Sequence, residues 1–97
     1  MIQEQRDTNI FLVERYLPVT DVEALAAAVA RVGLACASGR GGVRYLHSTF
    51  VPTEDTCFCV FQAPSAQSVR DVNDAARFGL DRIVSAIGLD AAAARNF

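Results

Sequence analysis

Val43-Arg44-Tyr45-Leu46-His47-Ser48-Thr49-Phe50-Val51-Pro52-Thr53-Glu54-Asp55-Thr56-Cys57-Phe58-Cys59-Val60-Phe61-Gln62 is the stretch that decides the fold. Two β-branched and aromatic runs, Val43 to Val51 and Cys57 to Gln62, flank a proline and two acidic residues that favour a turn. The pattern predicts a β-hairpin. With Glu54-Asp55 as a two-residue turn, Phe50 faces Cys59 and Ser48 faces Phe61. His47 then lies on the other side with Tyr45, Thr49, Phe58 and Val60.

Before the hairpin, Ile10-Phe11-Leu12-Val13-Glu14-Arg15-Tyr16 reads as a strand that stops at Leu17-Pro18. Thr20 and Glu23 form a capping box. Val22, Leu25, Val29, Val32 and Cys36 follow at alternating spacings of three and four, the stripe of a helix that Ser38-Gly39 can end. Gly39-Arg40-Gly41-Gly42 is a flexible connector. After the hairpin, Pro64-Ser65 offers an N-cap, and Val69, Val72 and Ala76 mark the buried side of a second helix ending near Phe78-Gly79. Arg82 to Leu89 reads as the last strand. Strand, helix, strand, strand, helix, strand is the α+β, ferredoxin-like βαββαβ pattern: a four-stranded antiparallel sheet with both helices on one face.

Such a sheet leaves its second face uncovered, yet Ile10 to Val13 and Cys57 to Phe61 are apolar on both sides. A second copy of the chain is the simplest cover, so the sequence predicts a homodimer through the open sheet face. The tail Ala91-Ala92-Ala93-Ala94-Arg95-Asn96-Phe97 is expected to pack on something, the partner included.

The chain has 97 residues, enough for a single domain with a core over about 10–89 and a C-terminal tail at 90–97. Hydrophobic residues make up 52% and charged ones 21%, a globular composition. All nine basic residues are arginine and the formal charge is −2, which argues against nucleic acid as a partner. No stretch approaches the ~20 apolar residues of a membrane helix. Met1 to Asp7 shows no signal-peptide pattern, so a cytoplasmic location is expected. Cys36, Cys57 and Cys59 are an odd number and are expected to be free buried thiols.

The blocks Phe11 to Pro18, Val43 to Pro52, Cys57 to Ser65 and Asp81-Arg82-Ile83 resemble a bacterial family of small uncharacterised domains. Its best-described branch consists of nickel-binding ferredoxin-like proteins. The resemblance runs from about residue 10 to 88 and implies a dimeric module with transition-metal binding, nickel or another divalent ion. His47 occupies the place of a histidine in that branch's second-strand motif. A further histidine of that branch, inside the second helix, is absent: Val72 and Asn73 stand there. Val69-Arg70-Asp71-Val72-Asn73 is closer to a sister branch.

His47 is the only histidine and the candidate metal ligand. One chain supplies one imidazole, whereas borderline metals want four to six donors. A dimer supplies two, with Glu14 or the thiols as further donors. Cys57 and Cys59 lack the two-residue spacer of zinc knuckles, so packing as small hydrophobes is the plainer reading beside a thiolate-ligand role. Gly39-Arg40-Gly41-Gly42 follows a helix and precedes a strand, the reverse of a phosphate-binding loop. Across strands, Arg82 is a natural partner for Glu14. The alternative to a metal module is a cofactor-free enzyme or small-molecule-binding domain with a pocket between sheet and helices. Tyr45, Asn73 and Glu14 are its candidate residues. No catalytic residue is assigned, and the reading leans away from an enzyme. A third reading is an interaction domain whose dimer face is its whole activity.

Overall fold

The structure is a computed structural model and describes residues 9–18, 21–89 and 91. Its elements run β1 (Asn9–Tyr16), α1 (Val22–Ala37), β2 (Arg44–Val51), β3 (Thr56–Ala63), α2 (Ala66–Ala75) and β4 (Arg82–Ala86). The sheet has the order β2-β3-β1-β4, and every neighbouring pair is antiparallel. With both helices packed against it and against each other, this is the ferredoxin-like α+β arrangement.

Residues that alternate along β1 explain the two-layer build. Phe11, Val13 and Arg15 are buried under the helices, while Ile10, Leu12 and Glu14 point the other way and are half-buried. On β3, Cys57, Cys59, Phe61 and Ala63 take the helix side. Leu25, Ala28, Val32 and Cys36 of α1 and Val69, Val72 and Asn73 of α2 close over them. Each large apolar side chain buried there contributes roughly 1.5–3 kcal/mol. The expected stripe on α1 is displaced at its start, where Val22 is 66% exposed and Ala28 takes a core place.

Helix α1 starts from Asp21, whose carboxylate accepts the amides of Glu23 at 3.0 Å and Ala24 at 3.2 Å. Thr20, the expected cap, lies outside the described residues. Gly39 ends the helix at φ +86°, a left-handed conformation suited to glycine. Ser65 caps α2 as expected, its hydroxyl accepting the Ser68 amide at 3.1 Å. The end of α2 is a Schellman motif: Arg77 donates its amide to Asp74 O at 3.0 Å, and Phe78 donates to Asn73 O at 3.0 Å. Its left-handed position is Arg77, at φ +57°. Strand β4 ends at Ala86 rather than Leu89. The tail beyond Ala91 lies outside the described residues.

The hairpin forms, but its register differs from the expectation. Pro52–Glu54 makes a short 3-10 turn and Asp55 adopts φ +49°, so the connection is longer than two residues. Phe50 therefore pairs with Cys57 and Ser48 with Cys59. A bulge at Leu46 separates the Tyr45–Phe61 and His47–Val60 pairs. The extra residue sends Tyr45 to the helix side, where its ring meets Phe61 edge-on at 5.8 Å, and leaves His47 on the open side. Strict alternation had placed Tyr45 and His47 together. Thr49, Phe58 and Val60 do share the face of His47.

Candidate functional site

Two places carry chemistry, one on each side of the sheet. Inside, the register sets Arg15 of β1 directly beside Cys57 of β3. Arg15 is 0% exposed, and arginine stays protonated under all ordinary conditions. Burying that charge costs several kcal/mol unless its donors are satisfied. Here they are shared out. Nε donates to Gly79 O at 2.9 Å, Nη1 to Cys59 Sγ at 2.8 Å, and Nη2 to Asn73 Oδ1. The ring of Phe78 lies 3.7 Å from the guanidinium carbon.

The Schellman motif positions two of these groups, because it turns the chain after α2 so that Phe78 and Gly79 reach back over β1. Asn73 is oriented by its own helix, with Nδ2 donating to Val69 O at 2.7 Å. Both the carbonyl and the amino end of the Asn73 amide are therefore engaged, and the residue is 0% exposed. Among the described residues the ion pair found is Arg82 with Glu14, at 3.7 Å on the other face; no carboxylate neutralises Arg15.

Donors converge on one sulfur. Tyr45 Oη donates to Ser48 Oγ at 2.9 Å, Ser48 Oγ donates to Cys59 Sγ at 2.8 Å, and Arg15 approaches the same sulfur from the opposite strand. Cys57 Sγ stands 4.0 Å from Cys59 Sγ. Burial first, and the neighbouring Cys59 second, push the Cys57 thiol up to about 11, with Arg15 opposing the shift. Burial also raises Cys36. All three cysteines are free and buried. A groove of about 260 Å³ between α1 and β2 opens onto this cluster, lined by Val22, Leu25, Val29, Tyr45, Ser48 and Cys57 among others.

The open face is a grid of cross-strand rows. Arg44, Gln62, Ile10 and Ala86 form one; His47, Val60, Leu12 and Val84 the next; Thr49, Phe58, Glu14 and Arg82 a third. In the middle columns Ile10, Leu12, Phe58 and Val60 are apolar and half-buried beside Gln62 and Glu14, and the basic groups Arg44, His47 and Arg82 stand on the outer strands. His47 is exposed on edge strand β2, two strands across and one row along from Glu14, roughly 12 Å away. Glu14 accepts the Tyr16 hydroxyl at 2.9 Å as well as facing Arg82. That bond and the Glu14 charge raise the Tyr16 pKa.

The structure thus divides the candidate residues. Tyr45, Cys57, Cys59 and Asn73 lie between sheet and helices, whereas His47 and Glu14 lie on the open face. Sequence reasoning missed Arg15 as a site residue. Its signal was an arginine in the inward phase of Phe11, Val13 and Arg15.

These features define a small ferredoxin-like domain with a buried arginine–cysteine cluster and an apolar sheet face that no described segment covers. The chain belongs to the nickel responsive protein SCO4226-like family, which it matches over residues 11–85. The crystal structure of SCO4226 from Streptomyces coelicolor A3(2) is similar in fold, with a TM-score of 0.68 and 24% identity over 84% of this chain and 99% of that one. No curated protein matches. The family name raises nickel, and the donor set of one chain does not fit it: no three His, Cys, Asp or Glu side chains converge among the described residues. No helix among them is long and apolar enough to cross a membrane.

Proposed function

We propose that this chain is a homodimeric binding module in which two copies join through the open faces of their sheets, with His47 as the imidazole each copy offers to a divalent transition metal held between them. The apolar open face carries this reading. Ile10, Leu12, Phe58, Val60 and Val84 occupy its centre, and no described segment covers them. Strands ~4.8 Å apart rising ~3.3 Å per residue give a projected face of roughly 500 Å². An ordinary stable interface buries ~800 Å² of accessible surface per partner, and the pleat and side chains of this face raise its accessible area above the projected value. Acidic Glu14 and basic Arg44 and Arg82 put both signs of charge on the same face, as an interface between two identical copies requires.

The test is solution mass by light scattering for the wild type and for Leu12→Asp, at the centre of the face. A dimeric wild type and a folded monomeric variant support the module. A monomeric wild type at tens of micromolar removes it.

The groove between α1 and β2 favours a second reading, a small-molecule site with Tyr45 and Ser48 as its polar end. At about 260 Å³ it falls just below the ~300–1,000 Å³ of ordinary ligand pockets.

A further inference from the structure

The geometry points to a soft, monovalent metal site formed by Cys57 and Cys59, with copper(I) or silver(I) held between two thiolates and the charge balanced by Arg15. This site is independent of the dimer and of His47, which lies on the other face of the sheet.

Three observations converge on it. The sulfurs are 4.0 Å apart, both on the helix side of β3. Two metal–thiolate bonds of ~2.3 Å span at most ~4.6 Å, so an ion fits between them with small rotamer adjustments. The same separation does not fit a disulfide, since residues two apart on a strand hold their Cβ atoms beyond bridging distance.

The second observation is charge. Arg15 is a fully buried cation whose described partners are all neutral groups. When an ion enters, two S–H bonds break, two metal–sulfur bonds form and two protons leave, with no change in the metal's oxidation state. A monovalent ion with two thiolates is −1, which Arg15 brings to zero. A divalent ion at the same place leaves a buried +1, and it also wants further donors where the nearest groups are a guanidinium and a hydroxyl. Electrostatics and coordination number therefore select the same class of ion.

The third is support and access. Arg15 Nη1 and Ser48 Oγ both donate to Cys59 Sγ at 2.8 Å, the type of outer hydrogen bond that orients a thiolate ligand. Tyr45 in turn donates to Ser48. The groove between α1 and β2 is lined in part by Cys57 and marks the side from which an ion would enter.

The experiment offers copper(I) as its coloured bicinchoninate complex to the intact, reduced protein and reads colour loss, with proton release followed in weak buffer. The expected result is one ion transferred and two protons released per chain. Cys36→Ser should behave as wild type, Ser48→Ala should bind ~10-fold more weakly, and Cys57→Ser and Cys59→Ser should take no copper. Should either serine variant fail to fold by circular dichroism, X-ray absorption of the copper-loaded wild type decides: two sulfur neighbours support the site. No transfer to the wild type, transfer that survives loss of Cys57 or Cys59, or a nitrogen-rich shell overturns it.

Discussion

Arg15 and Phe78 meet across the two layers of the domain, the guanidinium carbon 3.7 Å from the ring centroid. The contact joins the first strand to the turn after the second helix, residues 63 apart in sequence. It makes the buried cation part of what holds α2 on the sheet. With Asn73 below and Gly79 O at its Nε, Arg15 is the polar keystone of a mainly apolar core.

Asn73→Ala is expected to destabilise the fold by about 2–3 kcal/mol, because a hydrogen bond to a charged donor is worth ~1.5–3 kcal/mol and its loss leaves Arg15 Nη2 unpaired. In an Arg15→Met background the same substitution should cost below about 1 kcal/mol. Urea unfolding of the four proteins in this cycle measures the coupling. Equal costs in both backgrounds would show that the two residues act separately.

Arg77→Gly should stabilise the protein. Arg77 sits at φ +57°, and a left-handed conformation costs a non-glycine residue about 1 kcal/mol. The Tm of a domain this small should rise by about 4–8 °C per kcal/mol. A fall would mean that the arginine side chain contributes more than its backbone strain removes.

Alkaline conditions should weaken the fold. The Cys57 thiol is raised to about 11 from 9.0, so between those values the unfolded chain releases a proton that the folded chain keeps. The folded pKa being the higher, this contribution is complete below pH 9 and is lost as pH climbs towards 11. Burial of Cys36 acts in the same direction. Thermal melts from pH 8 to 11 should fall, with a shallower slope in Cys57→Ala. An unchanged slope would remove Cys57 as a contributor.

Nickel should raise the Tm of the chelator-stripped protein, and His47→Ala should abolish the rise. At a hundred times its dissociation constant the ion adds ~2.7 kcal/mol. Equal shifts in wild type and variant would take His47 out of the metal site, and no shift in either would remove the metal from the proposed module.

Local chemistry was enough for the order of elements. Proline at 18, 52 and 64, the β-rich runs and the spacing of three and four on both helices mark strand, helix and turn within a few residues of each other, and so they survive translation into three dimensions. The Arg82–Glu14 pair was legible too, because in this topology the first and last strands are neighbours.

What the tertiary structure decided is which residues meet. One bulged residue, Leu46, reversed the side of Tyr45 relative to His47, and a four-residue connection moved the hairpin register by two. Both depend on hydrogen bonds between strands that no local propensity encodes. The inward arginine, the asparagine 58 residues later and the thiols on a third element form one cluster only after packing, since burial is a property of the assembled layers. The chain's own pattern determined that there would be a sheet with helices on one side; the packing determined that a positive charge would lie at its centre, against two sulfurs.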